Sequence, residues 1–312
     1  MVTFLRVLLA VAAIFLATLG ASAAPPRALS GVVQTGGTGS SQPLANVDVT
    51  LFEATDTLPA TLGQATTDAS GQFSIRYTRG SSPTIFFVRA DVAEGVTFVA
   101  ILGPDLPGSV TINELTTVAA SYSMAQFFRT GAIAGNAFGL RIAAGMNDNL
   151  VAPASGRSSA VLLNSPNADQ TNSLRSTRSL ANLLAAAVVD PSVAARLLQL
   201  TTPPDGIPPH DTAEALANLA RNPARNVGEI YALSLGSDLY APPLQSAPDA
   251  WTVTVKVNDS GSDSRLIGGP GNLAFDQRGY VWVTNNTFQG TPYSGDFNLV
   301  FKPNGQPADG RN

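Results

Sequence analysis

His210 is the only histidine in the chain, so any imidazole chemistry would have to use it. A Ser/His/Asp triad needs one histidine, and zinc sites commonly use two or three imidazoles or several thiolates. The chain has no cysteine, which excludes thiolate ligands, cysteine nucleophiles and disulfides. His210 stands in Pro208-Pro209-His210-Asp211, directly before a predicted helix. We therefore interpret it as an exposed loop residue.

Two further motifs fall short of the sites that they resemble. Asp259 and Asp263 are spaced like the first and fifth positions of a calcium loop, but Pro270 stands where the twelfth position needs Glu. A solvated hairpin loop is the interpretation that we favour. Gly268-Gly-Pro-Gly271 is followed neither by Lys-Ser/Thr nor by a helix pattern, so it is not a phosphate loop.

The remaining polar candidates are explained by turns and strands. Asp68 and Asp276 each lie in a strand-turn-strand context with a glycine nearby, which turn chemistry explains. Tyr280 and Trp282 alternate with valines and so share one strand face. We expect them to pack in a core, although an exposed pair would suit a carbohydrate or peptide. Asn285-Asn-Thr287 fits a glycosylation sequon, which matters only in a eukaryotic secretory pathway. The sequence predicts no catalytic residue, no cofactor site and no metal site.

The elements around these residues begin with a hairpin near the C-terminus. Apolar residues at 273, 275, 281 and 283 alternate on either side of Asp276-Gln-Arg-Gly279, whose glycine can supply a positive φ. A further strand is predicted over Phe297 to Phe301. A Pro-rich link, Pro242 to Pro248, precedes Trp251 to Val257, whose alternation predicts the strand that starts this region.

Short β-rich runs separated by turn-forming segments predict a small β-sandwich over residues 29–103. The predicted strands are Leu29 to Val33, Val47 to Phe52, Gly63 to Thr67, Gln72 to Tyr77, Thr84 to Ala90 and Val96 to Leu102.

From Thr111 the hydrophobic period changes to that of a helix. A helix opens at Asn113 and carries Leu115, Val118, Tyr122 and Phe128. Further helices are predicted over Ser173 to Val189, Pro191 to Leu200, Thr212 to Arg221 and Pro223 to Leu235. Asp190-Pro191 and Asn222-Pro223 are each an N-cap followed by proline, and Asp211 with Glu214 has capping-box spacing. Gly145 to Pro166 and Pro203 to Pro209 are predicted loops.

The N-terminus predicts export. Arg6, an apolar run from Val7 to Leu19 and Ala21-Ser-Ala23 make a secretory signal peptide over residues 1–23. The apolar run is shorter than the roughly 20 residues that span a bilayer, so we expect no membrane span after cleavage. Charged residues make up 13% of the chain, and 18 Lys and Arg are dispersed against 22 acids. No basic stripe supports nucleic-acid binding. We expect the protein to be secreted, either periplasmic or extracellular.

Two resemblances add to this reading. The first region resembles the carboxypeptidase regulatory-like and Cna B-type families of transthyretin-like sandwiches. The matching residues are Gly31-Val-Val33, Pro43-Leu-Ala-Asn-Val47 and Thr66-Thr-Asp-Ala-Ser-Gly-Gln-Phe73. These are usually spacers or adhesion modules. The rest of the chain resembles exported bacterial proteins that place a helical region before an NHL-repeat or streptogramin-lyase-like propeller. The matching stretches are Asn113 to Val118, Asp211 to Pro223, Gly271 to Asp276 and Gly279 to Asn285. The implied propeller is extracytoplasmic and is often a binding platform.

Together these features predict a multidomain α+β protein. The expected order is a signal peptide (1–23), a β-sandwich (29–103), an α-helical domain (111–241) and an incomplete β-propeller blade (250–312). Because a propeller needs at least four blades, we expect the sequence to be the N-terminal part of a longer protein. Its expected role is non-enzymatic binding of a protein or carbohydrate ligand at the cell surface. Two alternatives remain. One is a truncated streptogramin-lyase-like enzyme whose catalytic residues follow Asn312, and the other is a structural surface protein whose C-terminal strands pair with another chain.

Overall fold

The computed structural model describes residues 27–37, 41–78, 84–164, 172–204, 206–259, 267–287, 290–293, 295 and 297–308. Within these ranges the chain is mixed α+β. Its strands are β1 (Arg27–Thr35), β2 (Gln42–Pro43), β3 (Asp48–Glu53), β4 (Ala60–Thr66), β5 (Gln72–Tyr77), β6 (Phe86–Ala93), β7 (Val96–Gly103), β8 (Ser109–Ile112), β9 (Phe128–Arg129), β10 (Ala132–Ile133), β11 (Val151–Ala152), β12 (Arg157–Ser158), β13 (Gly269–Phe275), β14 (Val281–Thr287) and β15 (Asn298–Phe301). Its helices are α1 (Glu114–Ser123), α2 (Ala137–Leu150), α3 (Ala160–Leu163), α4 (Asn172–Val189), α5 (Pro191–Thr201), α6 (Thr212–Arg221) and α7 (Val227–Ser234).

The N-terminal strands form two four-stranded sheets. One is antiparallel with the order β4-β3-β6-β7. In the other, β1 pairs antiparallel with β2 and β5 and parallel with β8. All six strands predicted between residues 29 and 102 are confirmed, with ends that differ by a few residues. Buried residues of both sheets, such as Leu29 and Val49, belong to one hydrophobic cluster.

Strand β7 joins the sheets to the helices because both of its faces are covered. Every residue from Val96 to Leu102 is buried. Phe98 and Ala100 pack in the cluster that holds the inner residues of both sheets. Val99 and Ile101 instead pack with buried side chains of α1, α2 and α6. One face of β7 therefore packs in the core between the two sheets, and its other face packs against the helices.

Several helices begin where their N-cap residues predict. The side chain of Asn113 accepts from Thr116 N, and the Thr116 hydroxyl accepts from Asn113 N, which closes a capping box. Asp190 accepts from Ser192 N at 2.8 Å, with Pro191 in the first turn. Asp211 caps α6 by accepting from Glu214 N at 2.8 Å. These three predicted starts are confirmed.

Three predictions about the helices are wrong. The predicted loop from Gly145 contains the end of α2 and all of α3. Phe128 is not on α1, which ends at Ser123, but lies buried in β9. Helix α7 begins at Val227 rather than Pro223, because Asn222 is the C-cap of α6 and its N–H bonds back to Asn218 O and Leu219 O.

The predicted strand Trp251 to Val257 is also wrong. Residues 251–257 form no strand, and side chains of α4 and α2 bind their backbone instead. The Ser173 hydroxyl bonds both the N–H and the carbonyl of Thr254, each at 3.2 Å. Asn149 accepts from Lys256 N and donates to Lys256 O, at 2.8 and 2.7 Å. Trp251 is fully buried, and its backbone N–H donates to Pro223 O.

None of the helices in the described ranges has the length and apolar character needed to cross a membrane.

Candidate binding surface on the C-terminal sheet

The C-terminal hairpin is built on the turn at Asp276, as predicted. Its Oδ1 accepts from the backbone N–H groups of Arg278 and Tyr280, at 2.8 and 3.0 Å. Gly279 takes φ +77°, a left-handed conformation that favours glycine. Burial alone would raise the pKa of Asp276, but hydrogen bonds from Arg278, from Tyr280 N and from Trp282 lower it to about 2. The carboxylate is therefore ionised at neutral pH and holds the turn.

Strands β13, β14 and β15 pair in that order into an antiparallel sheet, which confirms the strand predicted over Phe297 to Phe301. One face carries two rows of apolar side chains that cross all three strands. The rows are Leu273, Val283 and Leu299, and Phe275, Val281 and Phe301.

Burial along these rows falls from one side of the sheet to the other. Leu299 and Phe301 on β15 are buried, whereas Val281 and Val283 on β14 are half-buried. On β13, Leu273 is 62% exposed and Phe275 is 68% exposed. The two rows therefore begin in a core and end in solvent. We call Leu273 and Phe275, with the outer edge of β13, the β13 surface.

The opposite face carries Trp282, whose core packing was predicted. That prediction is wrong for Trp282, which is 42% exposed. Its indole Nε1 donates to Asp276 Oδ2 at 3.4 Å. Tyr280 is half-buried, and the Arg278 guanidinium lies 4.4 Å from its ring centroid. The turn thus orders the aromatic side chains and leaves one of them at the surface.

The other residues singled out from the sequence are placed as follows. Asp68 makes the predicted turn, its Oδ1 accepting from Ser70 N and Gln72 N. Gly269 to Gly271 lie in β13, not in a phosphate loop. Asn285, the first residue of the glycosylation sequon, is buried. Its side-chain Oδ1 accepts from Gly268 N at 2.7 Å, so the amide does not lie at the surface. The loop from Asp259 to Asp263 falls largely outside the described residues.

His210 is exposed, and the carboxylates near it are structural. Glu214 accepts from the backbone N–H groups of Thr130, Gly131 and His210, at 2.8 to 3.1 Å. Asp211 Oδ2 lies 3.0 Å from Arg89 Nη1, in an ion pair. Burial raises the pKa of Asp211, and Arg89 opposes that rise. These groups fix the start of α6 against the β9–β10 turn. Over the described part of the chain, no three His, Asp or Glu side chains gather as a metal site would require.

Another enclosed carboxyl group, Glu114, lies at the start of α1 and was missed from the sequence. Its Oε2 accepts from the Tyr240 hydroxyl at 2.7 Å and from Gly36 N at 3.0 Å. Burial raises the pKa of Glu114 to about 7, although these hydrogen bonds oppose the rise. The only available signal was an acid in the first turn, which is equally typical of an exposed helix start.

Comparison with known proteins assigns no family. No protein-family model matches the chain, and no curated protein matches it. Among solved structures, one match is the crystal structure of a 9R-lipoxygenase from Cyanothece PCC8801, at 16% identity. It covers 55% of this chain and 24% of that chain, with a TM-score of 0.19, which is too low to indicate a shared fold.

Proposed function

We propose that this protein is an exported, non-enzymatic binding protein that contacts another protein through the β13 surface. The β-sandwich, the helical domain and the first propeller blade are the finer parts of this proposal, and they rest on the resemblances given above. Export rests on the signal-peptide pattern of residues 1–23. The observation that carries the binding role is the exposure of Leu273 and Phe275 at the end of two otherwise buried rows.

Exposure of these two side chains has a cost that a partner would remove. Burying a Leu or Phe side chain stabilises by about 1.5–3 kcal/mol relative to leaving it in water. Contiguous apolar patches on soluble proteins commonly mark interaction sites. Leu273 and Phe275 stand two residues apart on one strand, so a single partner surface can cover both.

The edge of β13 favours an extended polypeptide as the occupant. Among the described residues β13 pairs with β14 alone, and its residues from Pro270 to Phe275 are exposed. An added strand would gain main-chain hydrogen bonds and place alternate side chains on Leu273 and Phe275, as in known strand-addition complexes. We therefore infer that the partner contributes an extended segment with apolar residues at alternate positions.

Oxidative footprinting tests this proposal. Labelling of Leu273 and Phe275 is compared between the dilute purified protein and the protein in its native exported location. We expect strong labelling of both side chains in the purified protein and weak labelling in the native exported location. The double variant Leu273→Thr/Phe275→Thr introduces β-branched residues, which suit a strand. It should no longer form the native complex but should keep the wild-type melting temperature.

The control is the double variant Leu58→Thr/Val189→Thr, which removes two other exposed apolar side chains. It should behave as the wild type does. Equal labelling of Phe275 in both settings would contradict the proposal. Loss of the complex in Trp282→Ala, but not in the β13 double variant, would instead assign binding to the opposite face, as a carbohydrate ligand would require.

A further inference from the structure

The turn after β15 contains the one Asn-Gly pair of the sequence, Asn304-Gly305. Residues 302–305 form a β-turn, in which Gly305 N donates to Lys302 O at 2.9 Å. Gly305 takes φ +80°, a conformation that favours glycine. Lys302 N then donates to Gln306 O at 2.8 Å, so the chain turns back along β15. The turn therefore fixes the backbone on both sides of the pair.

An Asn-Gly pair can lose ammonia without an enzyme, because glycine has no side chain to hinder its backbone nitrogen. Gly305 N attacks Asn304 Cγ and forms a new C–N bond. The Gly305 proton goes to a solvent base, and the side-chain nitrogen of Asn304 leaves as ammonia. Water then opens the cyclic imide at either carbonyl carbon. The product at position 304 is aspartate or isoaspartate, and water is the only co-reactant.

In the folded chain, three hydrogen bonds oppose this reaction. Gly305 N, the attacking atom, donates to Lys302 O. Asn304 Oδ1 accepts from Gln306 N at 3.1 Å, which holds the side-chain amide. Asn304 O accepts from Asn149 Nδ2 at 2.8 Å, which holds the peptide group between the two residues. Because this peptide group must rotate before Gly305 N reaches Cγ, these contacts have to open first.

Packing opposes the same rotation. Gly305 is buried. A Cβ atom at Gly305 would lie 2.1 Å from Lys256 O and 2.2 Å from Asn149 Nδ2. The backbone of Gly305 therefore lies directly against α2 and against the segment after Trp251. The peptide group has no room to rotate while the turn stays attached to these neighbours.

We propose that Asn304 is a site of spontaneous deamidation, and that its reaction requires the turn to separate from Asn149 and Lys256. Isoaspartate adds a carbon atom to the main chain before Gly305. The turn then no longer matches the positions of Lys302 O and Asn149 Nδ2 together, so the modification makes the separation permanent. This site does not depend on the function proposed for the β13 surface.

The test is incubation of the mature protein at mildly alkaline pH, under native conditions and unfolded in urea. Tandem mass spectrometry of the peptide that contains Asn304 measures the conversion over time. Conversion in the native protein should be slower than in urea by roughly a hundredfold or more, because three hydrogen bonds must open before the attack.

Variants separate the chemistry from the attachment. Asn149→Ala should speed native conversion at Asn304 by roughly tenfold or more, because the contact to Asn304 O is lost. Asn147→Ala, on the same helix, is the matched control, because this side chain bonds only to its neighbour Asp148. It should convert as the wild type does. Asn304→Gln, whose longer side chain disfavours the five-membered ring, should show almost no conversion at position 304 even in urea.

The two products should differ in their effect on the fold. Protein refolded from urea after conversion to isoaspartate should show faster amide exchange in β14, as detachment of the turn requires. Asn304→Asp keeps the normal main chain and an acceptor for Gln306 N, so its exchange should stay close to that of the wild type.

Three results would overturn the proposal. One is an absence of conversion at Asn304 in urea. Another is equal conversion in the native and the unfolded protein. The third is native conversion in Asn149→Ala at the wild-type rate. A circular-dichroism melt of each variant shows whether faster conversion comes from the turn or from a general loss of fold.

Discussion

At the scale of single residues, the enclosed carboxyl group of Glu114 links protonation to folding. Its folded pKa of about 7 lies above the ordinary value of 4.5. Below pH 4.5 the group is protonated in both states and has no effect on the pH dependence. As the pH rises from 4.5 to above 7, the unfolded chain ionises first and becomes relatively more stable. Glu114 should therefore make folding less favourable at alkaline pH.

Glu114→Gln should remove this dependence. The amide cannot ionise, and its oxygen can still accept from Tyr240 and Gly36. The free energy of unfolding of the variant should match that of the wild type near pH 4.5. It should exceed the wild-type value by on the order of 3 kcal/mol at pH 8, because burial raises the pKa of Glu114 from 4.5 to about 7 and each pKa unit corresponds to about 1.36 kcal/mol.

Urea unfolding at a series of pH values measures the difference. Glu229→Gln, at an exposed position of α7, controls for the loss of one negative charge. Parallel pH profiles for Glu114→Gln and the wild type would show that Glu114 does not titrate with folding.

At the scale of elements, Asn149 fastens the C-terminal segment to α2. Its side chain donates to Lys256 O and to Asn304 O, and it accepts from Lys256 N. One buried amide therefore joins α2 to the segment after Trp251 and to the turn after β15.

Asn149→Ala should loosen this attachment. Three hydrogen bonds at about 1 kcal/mol each are lost, so amide exchange in β14 and at Lys256 should become faster by roughly a hundredfold or more. Exchange in β3 and β6 should change little. Asn147→Ala is a matched control, because this buried side chain bonds only to its neighbour Asp148. Unchanged exchange in β14 would show that the sheet is held by other contacts.

Elements with strong local signals could be predicted from the sequence, and those set by distant partners could not. The turns at Asp68 and Asp276 and the caps at Asn113 and Asp211 are local, so the predictions hold. Helix α2 escaped prediction because its glycines and asparagines have low helix propensity, which tertiary packing outweighs. The segment after Trp251 alternates like a strand, but its partners are Ser173 and Asn149, which are far away in the sequence.

The candidate site divides in the same way. The alternation of Leu273, Phe275, Val281 and Val283 predicted the apolar face, because strand periodicity is a local property. That the face ends in solvent on β13 depends on what covers each strand, which no short pattern records. The structural role of Glu114 could not be predicted either, because its partners Gly36 and Tyr240 are far away in the sequence.

At the scale of the whole molecule, β7 makes the sheets and helices depend on one another. A fragment of residues 27–112 would expose Val99 and Ile101, which α1, α2 and α6 cover in the full chain. We expect this fragment to bind a hydrophobic dye and to lack a cooperative thermal transition, whereas the mature chain should unfold cooperatively. A sharp, dye-negative transition of the fragment would instead support a sandwich that folds by itself.

Export gives a prediction for the N-terminus. Because Ala21 and Ala23 fit the small-residue positions before a cleavage site, the exported protein should begin at Ala24. N-terminal sequencing and intact mass measure this together. Ala23→Trp should accumulate as the uncleaved precursor, while Ala24→Ser should be processed normally. An exported protein that retains Met1 would contradict the prediction.

The two glycines of α2 make the order of this helix depend on the residues that pack against it. Gly139 allows the Phe127 ring, and Gly145 allows Pro303, to approach so closely that a Cβ atom would lie 2.7 Å from each. Each glycine also weakens the isolated helix by about 1 kcal/mol. The packing of Phe127 and Pro303 against these positions therefore offsets the low helix propensity of the two glycines. Because Pro303 follows β15, displacing the C-terminal sheet should remove this contact from Gly145 and increase the fraying of α2.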